Sequence, residues 1–168
     1  MENKFSKILV GIDGSESAFN AASYATDMSL KFNSEIILLS IVPSKIHHGD
    51  SSGVFGMVSQ SYFNDYKKEA DKWFNDIINH VKNDETIEID KKIKTDVITT
   101  PFSIAASILN YAEERDADLI IIGTRGNSGL KKMLLGSVAS DIVTYSYCPV
   151  LIIKWMLADI IKKYLALN

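Results

Sequence analysis

The sequence predicts an α/β protein, a doubly wound five-stranded parallel sheet with helices on both faces. Three observations carry that expectation. Short apolar runs alternate with stretches of helical period along most of the 168 residues. Several of the runs are continuously apolar, as in strands buried on both faces. Right-handed crossovers between parallel strands then leave helices on the two sides of one sheet.

Lys7 to Ile12 reads as the first strand, stopped by Asp13-Gly14-Ser15. Ala18, Ala21, Ala22, Ala25 and Met28 follow at one-faced helical spacing, with Ser15 as N-cap. Glu35 to Val42 is the second strand, ended by Pro43. The stretch from Ser44 to Gln60 has no clear period and reads as a functional or partly helical segment. Tyr62, Tyr66, Ala70, Trp73, Phe74, Ile77, Ile78 and Val81 mark a long amphipathic helix. Its charged face of Lys67, Lys68, Glu69, Asp71 and Lys72 reads as solvated.

The third strand lies between Ile87 and Ile98, with Ile87, Ile89, Ile93 and Val97 as inward positions. Its many charges point to a sheet edge. Ser103 is expected to cap a third helix carrying Ile104, Ile108, Tyr111 and Ala112. Asp118 to Gly123 is the most apolar strand, and a Gly-rich loop leads from it to a short helix, Ser137 to Tyr145. Val150 to Ile153 is the fifth strand. Residues 1–154 read as one domain and 155–168 as an amphipathic tail.

Composition narrows the function. Hydrophobic residues make up 46% and charged residues 23% of the chain, as in globular domains. A net charge of −3 lacks the basic footprint of a nucleic-acid binder. The single cysteine, Cys148, has no internal disulfide partner and reads as a small buried hydrophobe. No signal peptide precedes the first strand and no apolar run reaches the roughly 20 residues of a membrane span, so a cytoplasmic location is expected.

The chemistry-bearing segment runs from Gly123 to Ser137 in the pattern Gly-x2-Gly-x9-Gly-Ser, formed by Gly123, Gly126 and Gly136-Ser137. It begins where a buried strand ends and closes where a helix begins, the place where open α/β sheets bind ligands. Glycines let backbone N–H groups approach phosphate oxygens, and the helix N-terminus adds unpaired donors and partial positive charge. Ser137 can cap that helix or give its hydroxyl to a phosphate. Arg125, Lys131 and Lys132 either screen phosphate charge or form a solvated loop face. Asp13 ends the strand expected beside this loop. Its carboxylate suits ribose hydroxyls or a metal, although Asp-Gly-Ser is also a common turn and helix start.

These residues resemble the ATP-binding universal stress proteins. The glycine pattern after Leu119-Ile120-Ile121-Ile122 is similar to their nucleotide loop. The similarity extends to Lys7-Ile8-Leu9-Val10-Gly11-Ile12-Asp13-Gly14-Ser15, Leu38-Leu39-Ser40-Ile41-Val42 and Cys148-Pro149-Val150-Leu151-Ile152-Ile153, together covering roughly residues 4 to 154. The resemblance implies a Rossmann-like fold with strand order 3-2-1-4-5. It implies bound ATP, or AMP or ADP, with Mg²⁺ or Mn²⁺. Asp13 would hold the ribose and sit near the metal of the metal–nucleotide, and the backbone of Ile41 and Val42 would recognise adenine. Gly11, Ile12, Ile122, Gly123 and Gly126 would surround ribose and phosphates, while Gly136, Ser137 and Val138 would bind phosphate. It further implies a homodimer through Val150–Ile153 and a protein client.

Two features depart from the family. Ile98-Thr99-Thr100-Pro101 lacks the glycine that often precedes that proline, and a tail continues past Lys154. No Gly-x4-Gly-Lys-Ser/Thr segment is present, nor the His-x-Gly-His or Ser-Gly-Gly-x-Asp-Ser loops of adenylating relatives. His47-His48-Gly49 lies after the second strand, in the wrong place, and reads as exposed loop rather than metal site. A nucleotide-binding regulatory protein is therefore expected over an efficient enzyme. The alternatives are a slow ATPase switch and a member that works through partner contacts without ATP.

The tail places Asp159, Lys162 and Lys163 on one side of a helix and Trp155, Met156, Leu157, Ile160, Ile161, Tyr164, Leu165 and Leu167 around the rest. A helix of this length spans only ~21 Å, too short for a bilayer. It needs a surface to bury its apolar side, with the dimer partner placed ahead of a membrane surface.

Overall fold

The computed structural model describes residues 4–43, 58–82, 92–100, 103–124 and 135–154. Within them the order is β1 (Lys7–Gly11), α1 (Glu16–Phe32), β2 (Glu35–Val42), α2 (Gln60–Lys82), β3 (Ile93–Thr99), α3 (Ile104–Glu114), β4 (Leu119–Gly123), α4 (Ser137–Tyr145) and β5 (Val150–Ile153). The strands form one sheet of order β3-β2-β1-β4-β5, with every pairing parallel. This is the expected doubly wound topology. The charged third strand does lie at an edge, though it begins at Ile93. Ile87 and Ile89 fall outside the described residues, as do residues 44–57 of the segment after the second strand (with His47 and His48), Arg125, Gly126, Lys131, Lys132 and the tail from 155. No helix among the described residues is long and apolar enough to cross a membrane.

Alternation along the central strands divides the core in two. Ile8, Val10, Ile36, Leu38, Leu119 and Ile121 face α1 and α2, where Ala21, Ala25, Ala70, Phe74 and Ile77 complete the packing. Leu9, Ile37, Leu39, Ile120 and Ile122 face α3 and α4, against Ile108, Tyr111, Ala139 and Ile142. The alanine stripe of α1 lets that helix lie close to the sheet. Ser15 caps it by accepting from the Ala18 N–H at 3.3 Å, and Ser103 caps α3 by accepting from the Ala106 N–H at 3.1 Å. Asp118 pins the start of β1, accepting from the Ser6 and Lys7 N–H groups at 2.9 Å each.

Two glycines are required by contact rather than by flexibility alone. Gly14 adopts φ +77°, and a Cβ there would meet the Trp73 ring at 2.5 Å. A Cβ on Gly123 would lie 2.7 Å from Ser17 Cβ and 2.8 Å from the Ser17 carbonyl carbon. The first turn of α1 thus rests on bare backbone at the end of β4. Since backbone cannot swing aside like a side-chain tip, Gly123→Ala is expected to cost about 1–3 kcal/mol. Equilibrium urea unfolding measures it, and an unchanged midpoint would remove the packing role.

On the α3 side, the Tyr111 hydroxyl donates to Asp96 Oδ2 at 2.9 Å, and the Arg115 guanidinium lies 5.0 Å from the ring centroid. Burial, then the hydrogen bond to Asp96 and the Asp96 charge, push this phenol up to about 12, with Arg115 opposing. An unfolded chain titrates tyrosine near ~10. A folded value above the unfolded one means the contribution is full below ~10 and is lost as pH climbs through the folded value. Tyr111→Phe should therefore flatten the loss of stability across that alkaline window. Unfolding curves at stepped alkaline pH check this, and parallel pH slopes for both proteins would refute it.

Candidate functional site

The strand order reverses between β1 and β4, so the chain leaves their carboxyl ends in opposite directions. A cleft of about 690 Å³ opens there. Of the positions expected from sequence, Gly11, Ile12, Asp13, Ile41, Ile122, Gly123, Gly136, Ser137 and Val138 all line it. Val42 does not. It is fully buried at the end of β2. Gly126 belongs to the segment outside the described residues.

Asp13 is fixed by its own turn. Its Oδ1 accepts from the Ser15 N–H at 3.0 Å and from the Ser15 hydroxyl at 2.5 Å. The turn reading of Asp-Gly-Ser is thus realised, and it is this turn that holds the half-buried carboxylate at the cleft wall.

The opposite wall is the start of α4. Gly136, not Ser137, occupies the N-cap position, with φ −73° and ψ 160° and no side-chain cap. Those angles are open to any residue, so glycine is not demanded there by conformation. The Gly136 N–H donates to the Thr124 carbonyl at 2.8 Å, which closes the loop on itself. Ser140 N–H is the first to bond back within the helix, to the Gly136 carbonyl at 2.9 Å. The N–H groups of Ser137, Val138 and Ala139 therefore have no acceptor within the helix, and all three residues line the cleft. Ser137 is exposed, with its hydroxyl on the first turn.

Sequence reasoning missed the third wall. Tyr62, Asp65, Tyr66, Glu69 and Trp73 of α2 line the cleft. Tyr62 and Tyr66 have ring centroids 6.5 Å apart, and Tyr66 meets Trp73 edge-on at 5.8 Å. Glu69 is exposed, as expected for that charged face, and also borders the cleft. The signal was the aromatic spacing itself, which marks the margin between the buried and polar sides of α2. Ile104 and Ile108 of α3 close the apolar end. The charged groups among the described cleft residues are Asp13, Asp65 and Glu69, all acidic. No cluster of three or more His, Cys, Asp or Glu that could hold a metal occurs among the described residues. Cys148 is half-buried against the α3–α4 core, with its sulfur 3.6 Å from the Ser146 hydroxyl.

Known proteins share this architecture. Universal stress protein YxiE of Bacillus subtilis is 31% identical over 150 residues, spanning 89% of this chain and 99% of that protein. The solved structure of protein MJ0577, a universal stress protein of Methanocaldococcus jannaschii, superposes with a TM-score of 0.65 at 25% identity, over 91% of this chain and 98% of the other. The universal stress protein of Archaeoglobus fulgidus in complex with dAMP superposes with a TM-score of 0.62 at 17% identity, over 89% and 98% of the two chains. The model of the universal stress protein family matches residues 4–154. With the cleft at the β1–β4 reversal and that match over nearly its whole length, the chain belongs to the universal stress protein family.

Proposed function

We propose that this protein is a regulatory adenine-nucleotide binder that holds ATP, or AMP or ADP, in the β1–β4 cleft. One observation carries the reading. A turn-anchored carboxylate, Asp13, and the first-turn residues of α4, whose N–H groups have no acceptor within the helix, line the same 690 Å³ space. Carboxylates suit ribose hydroxyls, and helix N-termini suit phosphate. The A. fulgidus protein that shares the fold is in complex with dAMP, which supports an adenine nucleotide as the ligand class.

In this reading Asp13 holds the ribose and the main chain at Ile41 borders adenine, while Val42, buried behind it, does not reach the ligand. Gly11, Ile12, Ile122 and Gly123 bound the ribose and phosphates, and Gly126 follows in the loop sequence. Because the Gly136 N–H is engaged by Thr124, the phosphate donors are Ser137, Val138 and Ala139, with the Ser137 hydroxyl. Mg²⁺ or Mn²⁺ would arrive with the nucleotide, since the described cleft offers carboxylates but no metal-binding cluster. Such an ion supplies charge neutralisation to the phosphates. The chain's own residues orient the nucleoside and present donors. None of the described cleft residues is a Lys, Arg or His, and Arg125, Lys131 and Lys132 follow in the loop sequence.

Gly136→Val is expected to abolish ATP binding and keep the fold, since φ and ψ there suit valine while the side chain enters the phosphate region. Calorimetry checks this, and unchanged affinity would remove the α4 N-terminus as the phosphate site. In the native protein, free ATP at 100 times its dissociation constant should add roughly 2.7 kcal/mol of stability. A melting temperature indifferent to ATP and Mg²⁺ would favour the partner-binding alternative. Steady turnover of excess ATP that disappears in Asp13→Ala would make the protein a slow ATPase.

The proposed assembly is a homodimer in a cytoplasmic setting, with residues 155–168 as a separate tail packed on the partner and a protein client completing the function. β5 is the last strand of the sheet, with Val150, Leu151 and Ile152 only half-buried. A strand edge of that character favours pairing with another chain. Sedimentation equilibrium should show a dimer that weakens on removal of residues 156–168. A monomer at all concentrations would reject the pairing.

A further inference from the structure

Ser40 and Tyr66 meet on the α2 side of the cleft, and their protons can be counted. Ser40 Oγ and the Tyr66 hydroxyl lie 3.2 Å apart, within hydrogen-bond reach. Two hydroxyls own two protons, and one mutual bond uses one of them. Ser40 is fully buried in β2, so a proton left undonated there carries its whole desolvation cost. Tyr66 is half-buried and lines the cleft, where a ligand or water can receive its proton. The favourable arrangement therefore has Ser40 donating to Tyr66. The Tyr66 O–H is left to donate into the cleft.

The phenol holds that proton firmly. Burial raises its pKa above the usual value of 10, the Ser40 hydrogen bond opposes this, and the charges of Asp13 and Glu69 add to the rise. Its charged neighbours on the same wall, Asp65 and Glu69, accept hydrogen bonds when ionised but do not donate. Tyr66 thus sets a donor beside two acceptors. Ser40 immediately precedes Ile41, so the donor sits beside the strand end that faces the base rather than beside α4.

We propose that Tyr66 is a specificity-determining residue of the cleft, its O–H donating to an acceptor ring nitrogen of the bound adenine. The assignment rests on the nucleotide reading above and names a side chain that reads the base. Asp65 immediately precedes Tyr66 and Glu69 follows it by three residues, and both suit the groups of a nucleoside that donate, its exocyclic amine and ribose hydroxyls.

The test is calorimetric, using ATP and its 1-deaza, 3-deaza and 7-deaza analogues on the native chain and on Tyr66→Phe. One analogue should bind the native protein about three- to tenfold more weakly than ATP, the worth of one net hydrogen bond. Tyr66→Phe should bind ATP that much more weakly and no longer distinguish that analogue from ATP. Because Tyr66→Phe leaves the buried Ser40 proton without an acceptor, the paired variant Ser40→Ala with Tyr66→Phe removes both hydroxyls. It should melt closer to the native protein and show the same indifference to the analogue. If Tyr66→Phe binds ATP as tightly as the native chain, or still distinguishes the same analogue to the same extent, the assignment falls while the nucleotide reading stands. If the native chain binds no adenine nucleotide, both fall.

Discussion

The pairing of β1 with β4 is the constraint from which the rest of the molecule follows. Ile8, Leu9 and Val10 sit opposite Leu119, Ile120 and Ile121, and all six are buried from both sides. Burial on two faces requires helices on two faces, and right-handed crossovers place α1 and α2 on one and α3 and α4 on the other. The chain must then depart from β1 toward β2 and from β4 toward β5. Nothing in the sheet can fill the gap between those departures. The cleft is the geometric remainder of a well-packed core, and its position is independent of any ligand.

That gap has a polarity built from the same backbone. Asp13 ends β1, and Asp65 and Glu69 come from α2, so negative charge gathers on one side. Across from it, α4 begins with N–H groups that have no helical acceptor and carries the positive end of its dipole. A ligand with hydroxyls and an amine at one end and phosphate at the other suits such a field in one orientation. The reverse orientation would set phosphate against three carboxylates. Solvent weakens that repulsion at the exposed Asp65 and Glu69, and Lys68 offsets Asp65 at 3.4 Å, so half-buried Asp13 carries most of it. Orientation therefore depends on long-range charge as well as on individual hydrogen bonds.

Most of the fold was legible because the central strands are continuously apolar, as strands buried on both faces are, and because the caps are local chemistry. Ser15 and Ser103 could be read as N-caps from their neighbours, and Ala18, Ala21, Ala22 and Ala25 announced the buried stripe of α1. The cleft residues contributed by β1, β4 and α4 were legible for a related reason. They sit at strand ends and helix starts, which sequence punctuates with Gly, Asp and Ser. The α2 wall was not. Whether Asp65 and Glu69 face water or a cleft depends on where α2 lies against β2 and β3, and that placement is fixed by contacts distant in sequence, such as Tyr66 with Ser40 and Trp73 with Gly14. Gly123 was read correctly as special but for an incomplete reason. It admits the first turn of α1 as well as bordering the cleft.

The glycine pattern itself can be resolved into separate physical demands. Gly123 is held to glycine by Ser17, whereas Gly136 has an ordinary backbone conformation and a committed N–H. The bond from that N–H to the Thr124 carbonyl joins the two ends of the intervening segment at 2.8 Å. Joining loop ends costs entropy that grows only slowly with length. Here that cost is met by folding rather than by ligand binding, because Thr124 is tied to β5 through its own N–H to the Ile153 carbonyl at 2.9 Å. The first turn of α4 is consequently positioned against β4 before a ligand arrives. Donors arranged in advance lose little freedom on binding, which is the condition under which a few main-chain N–H groups hold an anion well. Gly136 fixes where α4 begins, and its neighbours Ser137, Val138 and Ala139 are the residues whose N–H groups have no acceptor within the helix.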